Sequence, residues 1–386
     1  MITGTFTAAI ALTASVAASL LALGGPAQAA DPVKLIDVIE LSGPGAPAGT
    51  NWKNGVDLAV KEINAKGGIL GRPIAVTHYD SQTNPGATRA AVQRAVDEDA
   101  YVVLGPIFSG PISASMQITQ RAAVPQIVGG EASAFTKQGN PYIFRTSLNQ
   151  ADAMPKLANY LRDEVKAKSV AVVWINNDFG KGGRDAIIPE LQKRGIQVAA
   201  DIATESGQAD FAADAIKVKN ANADAVFVYL NEEESARFLR AARQQGIAKP
   251  IIGETTLLGA KVIELAGEAA NGVKGHVGLL VDAPKPGFAA FGKKYQDAYG
   301  FTSDHNGIKG YTAVYTVKTI TERVGKFDRE AFAKTLHGAR IDVAQEPGIL
   351  IDTKWLENGD VDRESFLVEV TDGKPVVKAT LPMINP

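Results

Sequence analysis

Short runs of β-branched and aliphatic residues recur along this chain, at 33–39, 74–79, 101–104, 126–128, 170–175, 197–202, 225–230 and 250–252. Most are followed by a loop rich in Gly, Pro, Asn or Asp and then by a longer stretch with apolar residues at helical spacing. Trp52, Val56, Ala59, Val60 and Ile63 mark the first such helix, and Gly67-Gly68 stops it. Strands that alternate with helices through short loops pair in parallel, so the pattern predicts an α/β fold with parallel sheets. The alternation breaks once, near 147–150, and restarts with a helix at 151–165. Two units are therefore expected rather than one closed barrel. Pro189, inside a helical stretch that runs to Arg194, predicts a kink or break there. After about Val273 the pattern becomes helix-rich, at 288–298, 306–324 and 329–336. The segment 348–377 returns to strand character, with turns at Asn358-Gly359 and Asp372-Gly373.

A length of 386 residues suits two or three domains, or two large lobes. Residues 1–30 carry no charge, 8–23 is a long Ala-rich apolar stretch, and Ala27-Gln28-Ala29 forms a small-x-small cleavage site. Residues 1–29 therefore read as a secretory signal peptide, which places the mature protein in the periplasm. The chain has no Cys, which excludes disulfides, thiolate metal sites and a Cys nucleophile. A net charge of −2 and the lack of any Lys/Arg run argue against a nucleic-acid partner.

Among the strand ends, 101–112 is the most telling. Tyr101-Val102-Val103-Leu104 stops at Gly105-Pro106, and Ser109-Gly110-Pro111 opens a helix. A helix N-terminus presents unpaired N–H groups and a partial positive charge, so it attracts carboxylates and phosphates. Ser109 either caps that helix or offers its hydroxyl to an anion. Gly129-Gly130-Glu131 ends the next strand, Asn176 to Gly180 another, and Gly253 to Thr256 a further one. In open α/β sheets, ligands bind at these carboxyl ends. The loop 42–49 lacks the glycine spacing of a dinucleotide fingerprint. No pair among His78, His276, His305 and His337 stands at metal spacing, and no nucleophile elbow or phosphate loop occurs. The run Glu232-Glu233-Glu234 opens a helix and reads as a solvated face. No metal or cofactor is expected.

Several segments together resemble one family. They are Leu41-Ser42-Gly43-Pro44, the run from Gly55 to Ile69 with Glu62-Ile63-Asn64-Ala65-Lys66-Gly67-Gly68, Asp80-Ser81-Gln82, Leu104-Gly105-Pro106 with Ser109, Asp178-Phe179-Gly180, and Asp210-Phe211. The chain is similar in this to periplasmic solute-binding proteins of the leucine/isoleucine/valine-binding type, which serve ABC importers. The resemblance implies the type I periplasmic-binding-protein fold, with two lobes joined by three hinge crossings. Lobe 1 would be 31–148 plus 279–350, and lobe 2 would be 149–278 plus 351–386. It further implies a non-enzymatic monomer that closes on a small carboxylate-bearing ligand and docks on a membrane permease driven by an ATPase.

Carried over position by position, the ligand carboxylate falls to Ser109, beside Phe108. The backbone contact of the next loop falls near Gly129 or Gly130, and its companion Thr is replaced by Glu131. The aromatic lid falls on Phe179, and the Tyr that ends a second-lobe strand is replaced by Asn231. The Glu that pairs with an ammonium falls near Thr255, with Glu254 beside it, while Ala48 and Trp52 lie by the side-chain pocket. A zwitterionic amino acid needs an acceptor for its ammonium, because a buried unpaired charge costs several kcal/mol. Glu131 or Glu254 would supply it, and the ligand is then an amino acid. Otherwise the ligand is an aromatic or short aliphatic acid without an amine, for which Phe108, Trp52 and Phe179 would suit a ring. For these three, core packing and ligand contact stay equally open. A sensory receptor of the same fold is the other alternative.

Overall fold

The computed structural model describes residues 1–4 and 31–384. Past Gly4, the expected leader lies outside the described residues.

The first sheet is built from β1 (Val33–Ile39), β2 (Ile74–Asp80), β3 (Val102–Leu104), β4 (Gln126–Val128) and β5 (Ile143–Arg145). Its order is β2-β1-β3-β4-β5, and every pairing is parallel. The crossovers are α1 (Ala46–Ala65), α2 (Pro85–Asp97) and α3 (Ser109–Arg121). β1 and β3 are apolar almost throughout because helices cover both faces. Asn84 caps α2, its side-chain oxygen accepting from Gly86 and Ala87 N–H at 2.8 and 3.0 Å.

The second sheet follows α4 (Gln150–Asp163). It comprises β6 (Ser169–Ile175), β7 (Gln197–Thr204), β8 (Ala225–Tyr229), β9 (Ile251–Glu254) and β10 (Lys274–Val277). The connecting helices are α5 (Asp178–Lys193), α6 (Ala212–Ala221), α7 (Glu232–Gln244) and α8 (Ala260–Ala266). The parallel part has the order β7-β6-β8-β9-β10, the same winding as the first sheet. β10 falls where the sequence pattern turned helix-rich. It is only four residues long and carries Lys274, Gly275 and His276, so it has no aliphatic run to announce it. The break expected at Pro189 is absent: α5 runs through it to Lys193. Ile187 and Leu191 anchor its buried face while Pro189 is exposed, so the missing N–H is on the water side.

Three helices, α9 (Pro286–Tyr299), α10 (His305–Val324) and α11 (Arg329–Leu336), come next, followed by a small antiparallel sheet of β11 (Arg340–Ile341), β12 (Thr353–Trp355) and β13 (Val361–Asp362). The hairpin β14 (Ser365–Thr371) and β15 (Lys374–Leu381) then joins β10 at the edge of the second sheet. Asp372 and Gly373 both have positive φ, at 50° and 70°, as the tight two-residue turn there requires.

One helix contact positions the site. α10 lies against α1, and a Cβ on Gly55 would stand 2.0 Å from the Gly307 carbonyl oxygen. A Cβ on Gly310 would stand 2.3 Å from the Trp52 carbonyl oxygen. Only glycine permits this approach, and it sets the first turn of α10 beside the loops that end β3 and β4.

Candidate ligand-binding site

The carboxyl ends of both sheets open onto one small, partly open cavity of about 40 Å³. Its wall contains Ala48, Phe108, Ser109, Gly130, Glu131, Phe179 and Asn231, seven of the positions expected from sequence. They come from α1, the N-terminus of α3, the loop after β4, the N-terminus of α5 and the residue before α7.

Ser109 is the first residue of α3, so Pro111 is the third residue rather than the first. The residue before the helix is Phe108, and no side chain caps it. The N–H groups of Ile107 and Phe108 are already used, donating to Glu40 at 3.2 and 3.1 Å. Burial pushes the Glu40 carboxyl up to about 7 in spite of those bonds. The Ser109 and Gly110 N–H groups, in the first turn, have no intrahelical acceptor. The Ser109 hydroxyl is buried without a hydrogen-bond partner. It serves neither as a cap nor as packing.

Glu131 stands opposite. Lys309, from α10, places its ammonium 3.3 Å from Glu131 Oε1 and 3.2 Å from the Gly129 carbonyl oxygen. Tyr229, at the end of β8, donates its hydroxyl to Glu131 Oε2 at 3.3 Å. Burial and the nearby Glu254 carboxyl push Glu131 up to about 7 against the pull of Lys309. Burial raises the Tyr229 hydroxyl far above its usual range, so it stays a neutral donor. Its ring stacks on Phe179 with centroids 4.3 Å apart, and Gln150 Nε2 donates to both the Tyr229 hydroxyl and the Phe179 carbonyl at 2.9 Å.

Beneath Glu131 lies the fully buried Arg145. It pairs with Asp360 at 2.7 Å and donates to the carbonyls of Gly130 and Ala132 at 3.2 and 3.1 Å. This network fixes the backbone of the loop that carries Glu131.

Three expected positions lie behind the wall, not in it. Trp52 is fully buried under Gly129 and donates its indole N–H to Asp37 at 2.9 Å. Glu254 faces His276 Nδ1 at 2.9 Å and accepts from the Thr255 hydroxyl at 2.8 Å, and that hydroxyl accepts Gly278 N–H at 3.1 Å. Burial drives His276 down to about 3, so it is neutral, and it raises Glu254. Thr256, one residue on from Thr255, reaches the cavity instead.

The wall also holds residues that sequence reasoning did not single out for the site: Glu232, His305, Asn306 and Lys309. Burial keeps the His305 imidazole well below its usual pKa, and Lys309 adds to the effect, so it is uncharged. The Glu232–Glu234 run is not one solvated face. Glu232 faces the cavity, Glu233 pairs with Arg237 at 2.7 Å, and buried Glu234 accepts Gly207 N–H at 2.8 Å. Among the described residues, no group of three or more His, Cys, Asp or Glu is placed to hold a metal, and no helix is long and apolar enough to cross a membrane.

Two similarly wound sheets that share one cavity at their carboxyl ends, with an unpaired hydroxyl at a helix N-terminus in the wall, make a site for a small solute. The chain belongs to the periplasmic binding protein family, whose model matches residues 34–375. The Leu/Ile/Val/Thr-binding protein of Salmonella typhimurium is 27% identical over 341 residues, covering 87% of this chain and 90% of that one. The Leu/Ile/Val-binding protein of Escherichia coli K12 gives the same figures, 27% over 341 residues, covering 87% and 90%. Among solved structures, the leucine-binding protein of Thermotoga maritima superposes with a TM-score of 0.84 at 24% identity, covering 91% of this chain and 99% of that one. A solute-binding protein of an ABC transporter from R. palustris, in complex with benzoate, superposes with a TM-score of 0.83 at 20% identity, covering 92% and 97%. The fold is that of the type I periplasmic binding proteins.

Proposed function

We propose that this chain is the substrate-binding subunit of an ABC importer of the branched-chain amino acid type, and that it captures a small carboxylate-bearing solute, an amino acid, between its lobes. The observation that carries the reading is the Ser109 hydroxyl, buried without a partner at the N-terminus of α3. A carboxylate there gains a hydroxyl, free N–H groups and a favourable helix dipole. The relatives named for binding Leu, Ile, Val or Thr support the amino-acid class. The protein binds without chemical turnover, acts in the periplasm as a monomer after removal of residues 1–29, and delivers its ligand to a permease and its ATPase.

Lobe 1 is 31–148 plus 279–350 and lobe 2 is 149–278 plus 351–386, joined by three crossings. The division is supported by β1–β5 sharing one sheet while β6–β10, β14 and β15 share the other. Closure of these lobes places Phe179 and Asn231 over a ligand held at Ser109.

A thermal-shift screen of amino acids, aromatic and aliphatic acids, and amides tests the ligand class. Stabilisation by carboxylates is expected, and stabilisation by uncharged compounds alone overturns it. Calorimetric titration of Ser109→Ala with the tightest ligand should show binding weaker by about 1–3 kcal/mol, the cost of removing a hydrogen bond to a charged group. Equal affinity removes Ser109 from the site.

A further inference from the structure

Two carboxyl groups stand in the cavity wall, and the protein treats them differently. Glu131 is engaged on both oxygens, by Lys309 and by Tyr229, and Lys309 also takes the Gly129 carbonyl. Those are the acceptors on the lobe 1 side to which an incoming ammonium would turn, and an internal ammonium already occupies them. Glu254 lies behind the wall with His276 and Thr255 on one oxygen.

Glu232 begins α7 at the end of β8 and faces the cavity from the opposite side. It is half-buried, and among the described residues no side chain forms a hydrogen bond or ion pair with its carboxyl group. Lys309 attracts it only from a distance, and Asp304 and Glu234 repel its charge. Lys261, in the outer mouth beside it, is paired with Glu264 at 3.0 Å. Burial pushes Glu232 up to about 7, although its own backbone N–H donates to the carboxyl. The cavity thus has an unfilled anion position at Ser109 and an unfilled cation position at Glu232.

We propose that Glu232 accepts the ammonium group of the bound solute, while Ser109 and the first turn of α3 hold its carboxylate. The assignment rests on the carboxylate reading of Ser109 and moves the ammonium away from Glu131 and Glu254, where the sequence led us to expect it. Lys309 then acts as a fixed counter-charge that keeps Glu131 from competing for the amine.

The test is calorimetric titration of wild type and Glu232→Gln with L-leucine, L-valine and L-threonine, each paired with its deaminated counterpart: 4-methylpentanoate, 3-methylbutanoate and 3-hydroxybutanoate. Wild type should bind the best amino acid tighter than its deaminated partner. Glu232→Gln should weaken the amino acid roughly tenfold or more, as loss of a charged hydrogen bond does, and leave the deaminated acid within about twofold. Equal weakening of both ligands shows that Glu232 only shapes the wall and overturns the assignment. Wild-type binding of a deaminated acid as tightly as its amino acid also overturns it and leaves the Ser109 reading standing. Failure of both ligand classes to bind removes the carboxylate reading, and this proposal falls with it.

Discussion

Two acid–base clusters, one packed around β1 and one in the cavity wall, can be set side by side. Under the sheet, His78 bridges Asp37 at 2.7 Å and Asp57 at 2.8 Å, Trp52 donates to Asp37, and Lys53 closes on Asp57 at 2.6 Å. In the cavity, Lys309 and Tyr229 hold Glu131, yet the Ser109 hydroxyl has no partner and the Glu232 carboxyl has only its own backbone N–H and no cation. The first cluster consumes its own charges. The second stops one anion and one cation short of closure. A leftover polar group in a well-packed protein carries a penalty that evolution removes at little cost, so its persistence on a cavity wall marks a place kept for something else. What sets the cavity cluster apart from the His78 cluster is therefore its unmatched remainder, not the number of its charges.

The comparison breaks first at Arg145, the cation shared by scaffold and site. Arg145→Met removes the cation beside the buried Asp360 carboxylate, which keeps only its hydrogen bonds from Thr136, Asn149 and Asn358, and releases the Gly130 and Ala132 carbonyls. Removing one partner of such a pair costs about 3–5 kcal/mol, so urea unfolding should show a large loss. A change below about 1 kcal/mol would mean the Glu131 loop is held by other contacts.

The self-contained cluster is tested by pH. Burial opposes charge on His78, but hydrogen bonds and attraction from Asp37 and Asp57 prevail and lift it from 6.5 to about 9. A group whose folded pKa is raised contributes stability that is complete below its unfolded value and is lost as pH rises through its folded value. Wild type should therefore lose roughly 2 kcal/mol between pH 7 and pH 10 that His78→Gln does not lose. Parallel stability profiles for the two proteins would show that the imidazole is not charged in the fold.

The strand ends were readable because parallel α/β pairing forces ligand loops onto them; that rule pointed to the loops at Ser109 and at Gly129-Gly130-Glu131, while Phe179 and Asn231 came as site residues from the family resemblance. Lys309 was not readable. It meets Glu131 across 178 residues, and in sequence it is one polar residue in a helix. Its clue was the approach of Gly55 to Gly307 and of Gly310 to Trp52, which sets the depth of the helix, but sequence does not say which residues a glycine faces. The Glu232–Glu234 run was misread because a helix turns about 100° per residue, so three adjacent acids point three ways. Trp52 was an even choice between core and ligand. The buried carboxylate of Asp37 settled it, since an indole N–H satisfied there has no need of a ligand.

The smallest expected effect is at Tyr229, whose hydroxyl links the end of β8 to Glu131. Tyr229→Phe keeps the stacking on Phe179 and removes the hydrogen bonds to Glu131 and Gln150. Lys309 still holds the other Glu131 oxygen, so the acid keeps its cation, which Asp360 does not without Arg145. The loss should be about 1 kcal/mol in unfolding free energy, the net worth of one hydrogen bond. Ligand affinity should fall by a similar amount, because on the proposed closure the 3.3 Å contact ties the end of β8 to the loop after β4. If affinity is unchanged while stability falls, the hydroxyl supports its own lobe through Gln150 and takes no part in closure.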